Sequence, residues 1–114
     1  MLNADAPKTL QEVLTALDIS PSEAEPLMRE AKIPADRPEL AVHDLVRVDI
    51  AVERICHKMA GRDWRRADGA DRQQYGSEEV GAYDLFHRKT GQRQSLQTFG
   101  QLLRWAEAEY GWKA

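Results

Sequence analysis

The sequence predicts a mainly α fold of the α+β kind: a helix-turn-helix-like N-terminal half, a long central helix, and a C-terminal β-hairpin followed by a helix. Three observations carry this. Apolar residues recur at helical spacing in several segments that open on Ser or Thr with Glu or Gln three residues later. The longest apolar-periodic run ends at Gly61, a natural residue to follow a helix. Beyond residue 80, short aromatic-rich runs flank a glycine-containing turn.

The first helix, 10–17, is capped by Thr9 with Glu12, and Leu10, Val13, Leu14 and Leu17 form its apolar face. Asp18-Ile19 is a turn. The second helix has two possible starts. Ser20 with Glu23 is one capping box, with Pro21 at the first helical position. That start leaves Pro26 inside the helix, where proline removes a hydrogen bond at a cost of about 3 kcal/mol. Ser22 with Glu25 is a second box that brings Pro26 nearer the first turn, and it favours a helix over about 22–31. A turn over 33–39 leads to a third helix, about 38–60, capped by Asp36. Its stripe is Ala41, Leu45, Val48, Val52, Ile55 and Met59, widened by Val42, Val46 and Ile50, with Asp44, Arg47, Arg54 and Lys58 opposite.

Residues 61–79 are polar, with Trp64 and Tyr75 as the large apolar side chains, and read as a linker or surface loop carrying a helical turn near 62–67. Residues 78–97 admit a helix over 78–89 or a hairpin. The aromatics and the Lys89-Thr90-Gly91-Gln92 turn favour the hairpin, with strands near 82–88 and 93–97. A lone hairpin is marginal, so it must pair or pack. Thr98 with Gln101 caps a last helix, 99–110, with Phe99, Leu103, Ala106 and Tyr110 on one stripe and Gly111 after it. The expected organisation is one compact domain: a helical region over 1–61, a connecting loop over 62–79, and a hairpin-plus-helix region over 80–114 packed on the first.

Composition narrows the function. The chain has 114 residues, enough for a core without staples. Formal net charge is −3, the wrong sign for a protein that coats nucleic acid. A single cysteine, Cys56, permits no internal disulfide. MLNADAPK reads as a frayed lead-in rather than a signal peptide, and no apolar run approaches the length of a membrane span. The expected location is cytoplasmic.

TLQEVLTALDIS, MREAKIP and LAVHDLVRVDIAVERI together resemble the N-terminal part of MerR-type and excisionase-type winged helix-turn-helix domains. The matching residues are Thr9, Glu12, Val13, Leu17, Ile19, Ser20, Ile33, Pro34, Asp44 and Leu45, within residues 9–55. The resemblance implies that the second helix would enter the major groove. Here that helix carries Glu23, Glu25 and Glu30 against Arg29 and Lys32, and carboxylates are repelled by phosphate. Residues 1–30 hold six acids and two bases, a net of −4. The wing is cut to ADRPEL, too short for two strands. The expectation is a scaffold of this kind whose reading face does not read DNA.

Candidate sites follow. Trp105 and Trp112 fall off the last helix's stripe, Trp105 pointing away from the face of Leu96 and Tyr110. They, with Glu23 and Glu25, are the candidate protein interface. The competing view buries Trp105 against the hairpin or the third helix. Arg62, Arg65, Arg66 and Arg72 around Trp64, extended by Arg88, Lys89 and Arg93 at the hairpin tip, are the candidate nucleic-acid contacts. Asp63, Asp68 and Asp71 dilute that cluster. Cys56, His57 and His43 lack zinc spacing, and Asp49, Glu53 and His57 read as a solvated helix edge. Cys56 reads as a small buried hydrophobe and Asp68-Gly69-Ala70-Asp71 as a turn. No catalytic constellation, cofactor loop, metal site or small-molecule substrate is inferred. The expectation is a non-catalytic interaction module whose partner is a protein or a second copy, with nucleic-acid binding as the alternative.

Overall fold

The computed structural model describes residues 6–34 and 36–111. The fold is mainly α with small antiparallel sheets. The chain divides into two compact units, one ending at Ile55 and one beginning at Cys56.

The first unit opens on strand β1 (Lys8–Thr9) and helices α1 (Leu10–Leu17) and α2 (Pro21–Ala31). Both helices start on complete capping boxes. In the first, Glu12 N donates to Thr9 Oγ1 at 3.2 Å while Thr9 N donates to Glu12 Oε1 at 3.1 Å. In the second, Glu23 N donates to Ser20 Oγ at 3.2 Å and Ser20 N to Glu23 Oε1 at 2.8 Å. Ser20, not Ser22, is therefore the cap, and α2 starts at Pro21 rather than near 22. Pro26 stays inside the helix. The box satisfies two otherwise orphaned donors and sets Pro21 where its missing N–H costs nothing, which offsets the bond that Pro26 forgoes.

Strand β2 (Glu39–Leu40) pairs antiparallel with β1, Lys8 opposite Leu40 and Thr9 opposite Glu39. Lys8 is thus part of a ladder, not a frayed lead-in. Helix α3 (Val42–Ala60) starts later than the expected 38, and Asp36 does not cap it. The Asp44 carboxylate takes that role by accepting from Ala41 N at 3.0 Å. Leu40 is fully buried as a strand residue, which holds the backbone extended up to Ala41. The segment between α2 and α3 supplies one strand, and its partner lies upstream of α1.

Val13, Leu17, Leu27, Leu40, Leu45 and Val48 are the most deeply buried large apolar residues of this unit. Two expectations for α3 fail. Val42, Val46 and Ile50 do not widen the buried stripe; they are 39%, 46% and 46% exposed, while Ala51 is buried. Asp44 does not lie on the solvent face but is buried.

In the second unit, residues 61–79 are not a connecting loop. They contain strand β3 (Trp64–Arg66), where a helical turn was expected, and helix α4 (Gly69–Tyr75), capped by Asp68 with Asp71. The hairpin is present as β4 (Leu85–His87) and β5 (Arg93–Gln94), which excludes the helix over 78–89. Both strands are shorter than expected. The sheet order is β3-β4-β5, all antiparallel, with Arg65 opposite Phe86 and Phe86 opposite Arg93. Pairing with β3 gives the hairpin the third strand it needs. Gly91, at φ 73°, closes the loop 88–91, where the left-handed conformation suits glycine.

Helix α5 (Phe99–Tyr110) has Thr98 as cap and Gly111 after it, as the sequence predicts. Its buried stripe is Phe99, Leu102 and Ala106; Leu103 is half-buried and Tyr110 is 53% exposed. Cys56 is fully buried, as a small hydrophobe would be.

Candidate interaction surfaces

Three arginines of the cluster, Arg65, Arg66 and Arg93, are committed inside the second unit. Arg65 Nη1 and Nη2 donate to Asp71 Oδ2 and Oδ1 at 2.6 and 2.9 Å, and its guanidinium lies 4.9 Å from the Phe86 ring centroid. Arg66 donates to the Ala82 carbonyl at 2.7 Å and stacks over Tyr83. Arg93 donates through Nε to Asp84 Oδ2 at 2.9 Å, and to the Glu79 carbonyl. Trp64 is buried and cannot offer its face to a base. Alternation along β3 and β4 explains the pattern, since successive side chains take opposite faces. The two arginines of β3 then cover aromatic rings on opposite sides of the sheet.

Arg62, Arg88 and Lys89 remain exposed, and Arg72 is half-buried. Arg88 N donates to the Asp63 carbonyl at 2.7 Å, which extends the ladder by one step and brings the backbones of Arg62 and Arg88 to the same end of the sheet. The His87 imidazole closes the loop there, its Nδ1 accepting from Lys89 N at 3.2 Å and Thr90 N at 3.3 Å.

Two buried carboxylates of this unit, Asp71 and Asp84, are held by Arg65 and Arg93. The Arg65 guanidinium beside Asp71 holds that carboxyl well below the usual range; burial opposes this, and the Asp68 N–H adds to it. Asp71 in turn raises Arg65. In the first unit, burial works against charge on Asp44, yet the Ala41 N–H and the Arg37 guanidinium at 2.7 Å outweigh it and the carboxyl is lowered.

The expected protein-interface residues are placed unevenly. Trp105 is half-buried, edge-on to Trp64 at 5.1 Å and to Tyr110 at 5.5 Å. It meets Tyr110, from which it was expected to point away, and Trp64 of β3 covers its ring. Trp64 also donates from its indole to the Tyr110 hydroxyl. Trp112 lies outside the described residues. Glu23 is engaged in its capping box. Glu25 sits in an exposed pair with Arg29 at 3.8 Å, a weak contact.

A different surface emerges on α3, within the first unit. Val42, Val46 and Ile50 stand at i, i+4 and i+8 and form one exposed aliphatic ridge. Beside its Ile50 end lies an open groove of about 270 Å³, lined by Glu30, Ala31, Lys32, Arg47, Ile50 and Arg54. Arg47, Ile50 and Arg54 share a helix face, and Lys32 is brought in by the left-handed turn, φ 59°, that ends α2. The groove has three cations and one acid in a chain whose formal charge is −3. Sequence reasoning missed this surface because both sides of α3 carry aliphatic residues. The signal was the i, i+4, i+8 spacing of three β-branched residues opposite the Leu45 and Val48 stripe.

Among the described residues, no three His, Cys, Asp or Glu side chains converge as a metal site would need. No helix among them is long and apolar enough to cross a membrane. Compared with protein-family models, with curated proteins and with solved structures, the chain matches none.

Proposed function

We propose that this chain is a small non-catalytic protein-interaction module, acting in the cytoplasm as a regulator or inhibitor subunit of bacterial or phage type. The observation that carries the reading is the exposed ridge of Val42, Val46 and Ile50. Three aligned aliphatic residues on the solvent side of α3 are far more exposed than its Leu45 and Val48 stripe, and contiguous apolar patches mark association surfaces. The Trp105 surface is a weaker candidate, since its ring packs within its own unit. A single buried cysteine suits a reducing compartment. The test is affinity capture from the native host with wild type and Val46→Glu as baits, folding checked by far-UV circular dichroism. A partner held by wild type and lost by the variant supports the reading. Identical capture by both baits, or none by either, overturns it.

A second reading, nucleic-acid binding, rests on Arg62, Arg88 and Lys89 at one end of the sheet. The helix-turn-helix resemblance does not strengthen it, because Glu23 and Glu25 occupy the presumed reading helix. Anisotropy titrations with duplex and single-stranded DNA at low and physiological salt test it. Binding that collapses with salt and is lost on joint alanine substitution of these three residues supports it.

A further inference from the structure

We infer that the α3 surface takes an acidic amphipathic helix of another protein, with aliphatic residues on the ridge and carboxylates over the groove. The inference rests on the protein-interaction reading and names the partner's chemistry.

The ridge sets the shape. Val42, Val46 and Ile50 follow an i±4 row, the kind of ridge that seats in the matching groove of a second helix. Its eight-residue span is about 12 Å of helix, which fits two to three turns of a partner. The charge sets the class. Lys32, Arg47 and Arg54 open on the groove beside Ile50, with Glu30 as the acid among its lining residues. A helix lying along the ridge therefore meets cations on one flank. Carboxylates at i, i+4 steps along that flank complement them, and lysine or arginine there would be repelled; Asp49 and Glu53 edge the other side of the ridge, where the partner carries no carboxylate.

Two other occupants fit less well. A phosphate backbone would use the cations but leave three aliphatic side chains against charged oxygens. A second copy docking its ridge on itself about Val46 would be isologous, and in the antiparallel arrangement would set Arg47 beside its own symmetry mate. The footprint is small, so binding is weak and transient.

The experiment is an amide NMR titration of the isotopically labelled full chain with three helical peptides. Each carries leucine at i, i+4 and i+8, and the flanking positions are glutamate, glutamine or lysine. Short duplex DNA is a fourth titrant. The expected result is shifts confined to Lys32, Val42, Val46, Arg47, Ile50 and Arg54 with the glutamate peptide, weakening as salt rises. Joint Lys32→Glu and Arg54→Glu substitution should weaken that binding about tenfold, the sum of two exposed charge pairs reversed. Val46→Glu should abolish it.

Equal shifts with the glutamine or lysine peptide would overturn the acidic partner while leaving the ridge as an interaction surface. No shifts with any peptide would overturn both. Shifts of the same residues by DNA instead would reassign the groove to nucleic acid. A concentration-dependent dimer in sedimentation, reversed by Val46→Glu, would give the ridge to a second copy and overturn the proposal.

Discussion

Arg93 grips Asp84, a carboxylate with no exposed surface, with Nε at 2.9 Å and Nη2 at 2.7 Å from Oδ2. The same carboxylate accepts from Leu96 N at 2.6 Å through Oδ1 and from Gly81 N at 2.9 Å through Oδ2. One buried charge thus fastens β5, the turn before β4 and the lead into α5. Asp84→Ala should cost about 3–5 kcal/mol, because it strands two backbone donors and an arginine. Urea denaturation of the variant checks this. A loss under about 1 kcal/mol would contradict the assigned role.

Gly81 is glycine because the carboxylate is so close. A Cβ built there would stand 2.5 Å from Asp84 Oδ1 and 2.5 Å from the Leu96 carbonyl oxygen. The carboxylate is fixed by the bonds just described, and the Leu96 carbonyl accepts from Tyr83 N at 3.2 Å, so neither retreats freely. Gly81→Ala should therefore destabilise by about 3 kcal/mol, as overpacking at a fixed site does. Gly69→Ala is the control: a Cβ there meets nothing within 4 Å, so the change should be neutral or stabilise by about 0.5 kcal/mol. Thermal melts of the two variants separate the cases.

The lowered carboxyl of Asp71 makes stability depend on acid in a defined direction. In the unfolded chain an aspartate titrates at about 3.9. The contribution from the folded, arginine-bound form is complete above that value. It is lost as pH falls through the lower folded value. Asp44 has the same sign. Asp71→Asn should cost about 2 kcal/mol at neutral pH, and the gap to wild type should close progressively below about pH 4. Denaturation midpoints measured down the acid range would show the two curves converging.

Ser20 and Ser22 offer a direct comparison of two caps two residues apart. Ser20→Ala removes the acceptor for Glu23 N and should cost about 1 kcal/mol. Ser22→Ala leaves that box intact and should stay within about 0.5 kcal/mol of wild type. Equal effects in denaturation would point to a helix start shared between the two.

Much of the fold is legible where local signals decide. The Thr9 and Glu12 box, the Thr98 cap with Gly111, and the glycine of the hairpin loop each act within a few residues, and the structure places them as the sequence does. What stayed hidden depends on partners far along the chain. Two-residue strands have no period to read, so the pairing of Lys8 with Leu40 left no trace. Trp64, Arg65 and Arg66 looked like loop, because the partners that make them a strand are His87, Phe86 and Leu85, about twenty residues on. The internal partners of Arg65, Arg66 and Arg93 were hidden in the same way, and of the expected nucleic-acid contacts Arg62, Arg88 and Lys89 are the exposed ones. Of the expected interface, only Glu25 is exposed among the described residues, and the α3 ridge was mistaken for core.

The split between bound and exposed arginines has a practical side. Alanine substitution of Arg65 or Arg93 should disturb folding whether or not DNA binds, since each holds a carboxylate. Joint substitution of Arg62, Arg88 and Lys89 should leave the denaturation midpoint within about 0.5 kcal/mol of wild type, being exposed. Lost DNA binding in that triple variant alone would be informative.

The division at Ile55 also partitions the chromophores. All eight tryptophan, tyrosine and phenylalanine residues lie beyond it, and Trp64, Trp105 and Tyr110 touch edge to face. Intrinsic fluorescence and near-ultraviolet dichroism therefore see the second unit alone; the first is optically silent. Far-ultraviolet dichroism, by contrast, sums the helices of both units, α1 and α2 among them. Overlaying the two melting curves asks whether the chain unfolds in one cooperative step or two.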